Sequence, residues 1–200
     1  MILVFDTETT GKADFKSSFK ATHQPRIVQI GAILFDSQFK IRGELNVIVK
    51  PDDYVIPKEA SDIHGITQDI AMECGIPHVI AVKAFSWLAD RANVLVAHNI
   101  DYDMLVFKKA TSVERVTVTD EFLADKKLFC TMKATTQICK IPGVYGDYKW
   151  PKLEEAYSHI FGESFDGAHD AMADVRACAR IYEYLSNLDL TPIPTQTHHT

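Results

Sequence analysis

The chain lacks any hydrophobic run long enough to cross a membrane. Its 200 residues contain no apolar segment that approaches the roughly 20 residues of a membrane-spanning helix. The first residues carry no basic charge and reach Asp6 after four apolar side chains, which is typical of a buried strand and not of a signal peptide. The sequence therefore predicts a protein without membrane contact, and we expect it in the cytoplasm.

Cysteine is also scarce, and its placement excludes two common uses. The four cysteines form no CxxC pair and no regular spacing: Cys74, Cys130, Cys139 and Cys178. Such residues are typical of reduced thiols in a cytosolic protein and not of a disulfide framework or a zinc site.

A basic excess, usual in proteins that bind phosphate backbones, is missing. The net charge of -6 argues against a nucleic-acid partner. Bound divalent cations would offset part of that negative charge. The segment 12–26 also has four basic residues against Asp14, so the local charge there is positive. The acidic balance therefore weakens a nucleic-acid hypothesis without excluding it.

The order of apolar patterns predicts one mixed α/β domain. We predict strands at residues 2–5, 27–35, 41–49, 93–97 and 127–130. We predict short helices between Pro51 and Pro77, and longer ones at 78–91, 101–110, 153–161 and 170–187. The short links between the first three strands favour an antiparallel meander. There is no internal repeat and no linker, so we expect one domain over residues 1–187 and a flexible tail at 188–200.

Two acidic residues follow the first predicted strand. Asp6 and Glu8 are two positions apart, so their side chains point to the same side of a strand. Two carboxylates in a buried place repel each other unless a cation lies between them. The alternative is a polar strand end that enters a turn at Thr10 and Gly11. The pattern is a candidate metal site.

Two further acids lie on helical faces that are otherwise apolar. Asp103 shares its face with Val106 and Phe107; the alternative is a charge that favours the first turn of a helix, a role that suits Asp101 better. Asp174 lies one turn from apolar neighbours on the last helix, where unpaired acids are rare. Both are candidate ligands.

His169 precedes Asp174 by five residues, which is about 140° around a regular helix. The two side chains can share a site only if His169 lies before the helix begins, and Gly167 and Asp170 are suitable loop and cap residues. The alternative is an ordinary surface or cap histidine.

Three motifs in this order resemble those of the DnaQ-like (DEDDh) 3′-5′ exonuclease family: DTETTG at 6–11, HNIDYD at 98–103 and HDAMAD at 169–174. The resemblance covers residues 2–185. Its one visible departure is Tyr102, where the family more often has phenylalanine.

That resemblance implies an RNase H-like fold with a five-stranded central sheet flanked by helices. By its motifs, the metal-binding carboxylates would be Asp6, Glu8, Asp103 and Asp174, and the general base His169. The chemistry implied is two-metal hydrolysis of a phosphodiester. Oxygen ligands suit two Mg²⁺ or Mn²⁺ ions and not zinc.

The resemblance also implies contacts with the terminal nucleotide. These would come from Thr7, Glu8, Thr9, Glu59, Ile63 and His64. A glutamate can bind a 3′-OH, and an apolar side chain can wedge under a base. For Glu59 and Ile63 the alternatives are a solvated helix acid and a core contact.

A basic loop follows the first motif. Lys12, Lys16 and Lys20 are spaced by four and alternate with Phe15 and Phe19. Such a loop could grip a single-stranded backbone and stack bases. The alternative is a surface loop whose phenylalanines pack into the core.

The leading hypothesis is a metal-dependent 3′-5′ exonuclease that releases nucleoside monophosphates from single-stranded 3′ ends, with DNA preferred over RNA. An exoribonuclease of the same superfamily stays open, because the four acids do not report 2′-OH contacts. A catalytically silent nucleic-acid-binding module and a generic metal phosphatase are the alternatives from other classes. The protein could act alone or be recruited by a polymerase or repair complex.

Overall fold

The protein is described from a computed structural model, which covers residues 1–114, 125–144 and 146–191. Most of the predicted tail, residues 192–200, lies outside these ranges. A search of the described residues finds no helix whose length and hydropathy would let it cross a membrane.

The described residues form one six-stranded sheet and the helices that pack around it. The strands are β1 (Ile2–Thr9), β2 (Ile27–Phe35), β3 (Ile41–Lys50), β4 (Ile76–Pro77), β5 (Val94–Ala97) and β6 (Lys127–Cys130). The helices are α1 (Lys58–His64), α2 (Gln68–Cys74), α3 (His78–Asp90), α4 (Ile100–Glu114), α5 (Thr131–Cys139), α6 (Leu153–Phe161) and α7 (Ala171–Asn187).

The sheet is mixed, with strand order β4-β3-β2-β1-β5-β6. Strands β1, β2 and β3 form the predicted antiparallel meander. Strand β5 runs parallel to β1, and β6 runs parallel to β5. The five predicted strands are confirmed. A sixth, β4, has two residues that pair with the end of β3, too short to leave any periodic pattern in the sequence.

Two elements differ from the sequence prediction. Strand β1 continues through the first acidic motif to Thr9, because its backbone goes on pairing with β2 after the apolar run has ended. Helix α5 was not predicted. Its inward face carries Thr131 and Thr135 beside Met132, so the hydrophobic repeat that would reveal a helix is missing. The Thr135 hydroxyl is satisfied within the helix by the Thr131 carbonyl at 2.8 Å.

The core occupies both faces of the sheet. Leu3 and Phe5 pack with residues of α3 and α4 on one face, whereas Ile2 and Val4 pack with residues of α7 on the other. This double burial explains the continuous apolar run of β1. Because side chains alternate, the even-numbered positions that follow Val4 continue the row that faces α7.

The start of α7 touches β2 at Gly31. A Cβ atom at this position would lie 2.7 Å from the backbone carbonyl group of Ala171, so any side chain would push the helix away. Gly31 is also the strand partner of Asp6. A missing side chain in β2 therefore lets the N-terminus of α7 approach the first acidic motif.

Candidate active site

The first carboxylates lie on one side of β1. Asp6 pairs with Gly31 and Glu8 pairs with Gln29 on the neighbouring strand, which keeps both residues in regular extended backbone. Burial raises the pKa of Asp6 well above its ordinary value, and the charge of Asp103 raises it further. Burial, followed by the charge of Asp174, raises the pKa of Glu8 to about 8. The pKa of each of these acids therefore depends on the charges of the neighbouring carboxylates.

Asp103 is tied to β1 by two hydrogen bonds. Its Oδ1 atom accepts from the backbone N–H of Thr7 at 3.1 Å and from the Thr7 hydroxyl at 2.8 Å. The residue is only 2% exposed, so it is not a solvated first-turn acid. Burial raises the pKa of Asp103 to about 7, although the bonds from Thr7 lower it. By contrast Asp101 is exposed and pairs with Lys133.

The third motif is folded around the N-terminus of α7. His169 lies before the helix in a left-handed conformation with φ of 70°, so the prediction that it precedes the helix is confirmed. Its backbone N–H donates to Asp174 Oδ2 at 3.3 Å. Asp170 is the N-cap and accepts from Met172 and Ala173. Gln29 holds this end in place through Asp170 and the N–H of Ala171.

These motifs meet in one cluster. Ligand atoms of Glu8, His169 and Asp174 all lie within 4.8 Å of one another. The charges of Glu8, Asp103 and Asp174 all raise the pKa of Asp6, which places the buried acids in the same electrostatic neighbourhood. The structure thus joins Glu8, His169 and Asp174 by direct proximity. Asp103 is held against β1 through Thr7, and Asp6 is linked to the other acids by the effect of their charges on its pKa.

The cluster has the properties expected of a cation site. Burial raises the pKa of Asp174 to about 6. Asp174 Oδ1 is buried and has no hydrogen-bond partner among the described residues. Buried carboxylates that raise one another's pKa are poorly compensated by the protein itself. Oxygen donors of this kind are the ligands that Mg²⁺ and Mn²⁺ prefer, so the residues fit divalent cations.

A cavity of about 430 Å³ opens beside this cluster. It lies between the turn that follows β1 and helix α1. Its lining includes five residues that the sequence assigned to substrate: Glu8, Thr9, Glu59, Ile63 and His64. Ile63 is 60% exposed, so its alternative as a core contact is wrong. Burial lowers the pKa of His64, which favours a neutral imidazole there.

Thr7 has a different position from the other predicted contacts. It is buried, and both its hydroxyl and its backbone N–H are used by Asp103. It does not line the cavity. Thr7 therefore holds a carboxylate in place, and its contact with a nucleotide stays a prediction.

Sequence reasoning missed the role of Tyr102. Its hydroxyl donates to the Gly11 carbonyl at 2.6 Å and also contacts the Thr9 hydroxyl. Thr9 in turn donates to the same Gly11 carbonyl at 2.9 Å. The residue that departs from the usual phenylalanine thus ties down the turn that forms one wall of the cavity. Only its place beside Asp103 in the motif pointed to it.

His98, the histidine of the second motif, has a structural role. Its Nε2 atom donates to the Pro151 carbonyl at 3.0 Å, and its Nδ1 atom accepts from the Thr131 hydroxyl at 2.9 Å. Burial lowers the pKa of His98 to about 4, so the ring stays neutral at physiological pH. His98 therefore connects the second motif to the segment before α6.

The basic loop is ordered by polar contacts. Asp14 accepts from the Lys16 backbone at 2.9 Å and from the Ser17 hydroxyl at 2.7 Å, and Gln24 donates to the Asp14 carbonyl. Phe15 is exposed, so the alternative that both phenylalanines pack into the core is wrong for this one. Lys12 lines the cavity, whereas Lys16 and Lys20 are exposed on the loop.

A family model described as Exonuclease (RNase_T) matches residues 3–182. This protein belongs to that exonuclease family, and the predicted DnaQ-like, RNase H-like assignment is confirmed.

Curated relatives agree with the family. An uncharacterized exonuclease, CP81, of Escherichia phage 186 is 32% identical over 92% of this chain and 87% of its own length. The DNA polymerase III subunit epsilon of Treponema pallidum is 29% identical over 89% of this chain and 73% of its own length.

Solved structures share the fold. Escherichia coli Exonuclease I in complex with a dT13 oligonucleotide has a TM-score of 0.75 at 22% identity, over 92% of this chain. This chain spans 40% of that protein. A zinc-bound form of an Escherichia coli ExoI complex with single-stranded DNA has a TM-score of 0.73 at 22% identity, over 94% of this chain and 40% of that one.

Proposed function

We propose that this protein is a 3′-5′ exonuclease that releases nucleoside 5′-monophosphates from single-stranded DNA. The observation that carries the proposal is the double position of Glu8, which belongs to the cavity wall and to the carboxylate cluster. A chain end held in the cavity would present its last phosphodiester to the carboxylates. Relatives named epsilon subunits and a fold neighbour in complex with dT13 support DNA as the substrate.

Two divalent cations, Mg²⁺ or Mn²⁺, would be held by Asp6, Glu8, Asp103 and Asp174. When bound, such ions activate a water and stabilise the leaving oxygen. The chain supplies the rigid frame, since β1 fixes the first two acids and Thr7 fixes Asp103. Carboxylate ligands favour these ions over zinc, and the zinc-bound neighbour makes zinc a metal to include in any assay.

His169 would accept the proton of the attacking water. Its ring belongs to the ligand cluster but stays half exposed, which leaves it open to substrate. Its Nε2 atom lies 4.0 Å from Glu154 Oε1, an acid on α6 that can orient the ring. An imidazole is suited to this task, because its ring nitrogen can accept a proton from water.

The cavity residues would recognise the last nucleotide. Glu59 and Thr9 offer acceptors for the 3′-OH, and Ile63 offers an exposed apolar surface for the base. His64 would lie beside the sugar-phosphate as a neutral ring. The proposal therefore expects cleavage to require a free 3′ end.

The alternatives concern substrate and class. An exoribonuclease would use the same carboxylates, and the cavity contacts do not test for a 2′-OH. A catalytically silent module is disfavoured, because all five expected side chains are present and three of them, Glu8, His169 and Asp174, lie together. Relatives named as polymerase III epsilon subunits support a polymerase or repair complex as partner. The four cysteines are unpaired thiols, which supports a reducing, cytosolic compartment.

The direct test is digestion of matched 5′-labelled single-stranded DNA and RNA with Mg²⁺, Mn²⁺ or Zn²⁺. We expect a descending ladder from the 3′ end, faster on DNA, and no products from the Asp6→Ala protein. The nucleic acid that is degraded faster is the preferred substrate. Release of the 5′ label as a mononucleotide would refute the polarity, and cleavage that survives Asp6→Ala would refute the site. Binding without any cleavage would favour the silent module.

We also propose that Lys16 and Lys20 of the basic loop bind phosphates of the single strand. Replacing Lys16 and Lys20 together by alanine should weaken binding and reduce the slope of log K against log salt by about 1.4, since each single-strand phosphate contact contributes about 0.7. Fluorescence anisotropy from 50 to 300 mM salt measures this slope.

A matched control replaces Lys40 and Lys83, two exposed lysines at the opposite end of the meander and on α3. That control should keep the wild-type slope. An unchanged slope in the loop variant would mean that Lys16 and Lys20 do not contact the phosphates of the strand.

A further inference from the structure

Exposed aromatic side chains cluster in the segment between α5 and α6. Trp150 is 62% exposed and Tyr148 is 41% exposed. Large aromatic side chains are normally buried in the core or in a contact with a ligand or partner, since their apolar area is costly to leave in water. Neither residue lines the cavity or belongs to the carboxylate cluster.

The backbone under these side chains is held by several bonds. Lys149 N–H donates to the Ile141 carbonyl at 2.9 Å, and Gly143 N–H donates to the Asp147 carbonyl at 2.6 Å. The Lys149 ammonium also pairs with Glu155 at 2.6 Å. A segment fixed in this way can present a ring with little further loss of conformational entropy on binding.

The segment is joined to the candidate active site at two points. The carbonyl of Pro151, the residue after Trp150, accepts from His98 of the second motif at 3.0 Å. Glu154 lies 4.0 Å from His169 of the third motif. Trp150 and Glu154 are four positions apart in the chain, which bounds their Cα distance at about 14 Å. A stacked strand rises about 3.4 Å per nucleotide, so this reach corresponds to about four nucleotides.

The charge of the segment suits a phosphate backbone. Residues 140–152 contain Lys140, Lys149 and Lys152 against the single acid Asp147. Because Lys149 is paired with Glu155 of α6, Lys140 and Lys152 are the lysines that would meet a phosphate. The protein as a whole has a net charge of -6, so this basic stretch is a local exception. Aromatic rings interleaved with lysines are the combination that single-strand binding sites use.

We propose that Trp150, assisted by Tyr148, is a stacking site for bases of the single strand upstream of the cleaved end. The inference rests on the proposed function, because it places the terminal nucleotide in the cavity at Glu8. The strand would then pass over Glu8 and His169 towards Glu154 and reach Trp150 a few nucleotides further on. Stacking is tolerant of sequence, so the site would add affinity for longer strands without base preference.

Tryptophan fluorescence tests the contact without any need for turnover. The chain has two tryptophans, and Trp87 lies on α3 with the Arg91 guanidinium 3.3 Å from its ring centre. A Trp87→Phe protein therefore reports Trp150 alone. Titration with oligo-dT of 12 nucleotides, in a His169→Asn background with Mg²⁺, should quench this emission in a saturable way. The Trp150→Phe protein, which reports Trp87, should show no quenching.

Kinetics in the protein with native His169 provide the second readout. Trp150→Ala should raise KM for the 12-nucleotide strand about 5- to 100-fold, since loss of one stacked base has an effect of this order. The KM for a dinucleotide and the kcat on both substrates should stay near wild type. Trp150→Phe should restore most of the affinity, because its ring still stacks.

Three results would overturn the inference. These are unquenched Trp150 emission on binding, an unchanged KM for the long strand, or an equal rise in KM for the dinucleotide, which would indicate a distorted cavity. A wild-type protein that cleaves neither substrate would instead refute the proposed function, while the fluorescence titration would still report whether the strand reaches Trp150.

Discussion

Replacing His169 by asparagine is expected to lower kcat by about 10²- to 10⁴-fold, the usual contribution of a positioned general base. The protein should stay folded, because asparagine tolerates the left-handed conformation that His169 adopts with φ of 70°. The backbone N–H that donates to Asp174 is also retained. The loss should therefore report proton transfer and not a collapsed site.

Steady-state kinetics with a 3′-labelled oligonucleotide measure this effect, and thermal unfolding checks the fold. His159→Asn is the matched control, since His159 is an exposed histidine in the last turn of α6. Loss of less than a few-fold in kcat, with chemistry limiting, would show that another group accepts the proton.

The metal-free protein is expected to lose stability as the pH rises from 5 to 8. Folding raises the pKa of Asp174 to about 6, of Asp103 to about 7 and of Glu8 to about 8, in each case chiefly through burial. The unfolded chain gives up these protons near pH 4, whereas the folded chain keeps them. The stability is therefore complete below about pH 4 and is lost as the pH passes through the folded values.

The expected size of this loss can be stated for Asp103, which is almost fully buried. Its shift from 3.8 to about 7 corresponds to a penalty of about 2–4 kcal/mol at pH 8. In a chain of this length, that is a fall in Tm of about 5–15 °C. Mg²⁺ or Mn²⁺ should reverse the loss at pH 8, since a ligand that binds only the folded state stabilises it.

Thermal unfolding at pH 5 and pH 8, with EDTA or with Mg²⁺, measures both effects. Asp103→Asn should raise the Tm at pH 8 in EDTA, remove most of the Mg²⁺ effect and abolish cleavage. Asp62→Asn is the control, because that acid is exposed and paired with Lys58. A Tm that is equal at the two pH values and insensitive to Mg²⁺ would mean that the acids do not form a cation site.

The site residues were predictable from sequence for a local reason. Asp6 and Glu8 share a strand face, and Asp174 shares a helix face with apolar neighbours, so simple periodicities marked them as candidates. The resemblance of the three motifs to the DnaQ-like family then implied that they belong to one site. The expected position of His169 before the helix also followed from helical geometry. By contrast α5 was missed, because threonines such as Thr131 and Thr135 occupy its buried side and satisfy their hydroxyls through bonds that leave no apolar pattern.

The sequence by itself determined the mixed sheet, the antiparallel meander and the residues of the acidic cluster, because each depends on a period of two or 3.6 residues. Only the tertiary structure shows which long-range contacts hold these elements and residues in place. The bond from Thr7 to Asp103 and the clamp from Tyr102 to Gly11 each span more than 90 residues of chain. The approach of α7 to Gly31 likewise joins distant segments. Such contacts depend on packing between elements, which no local pattern encodes.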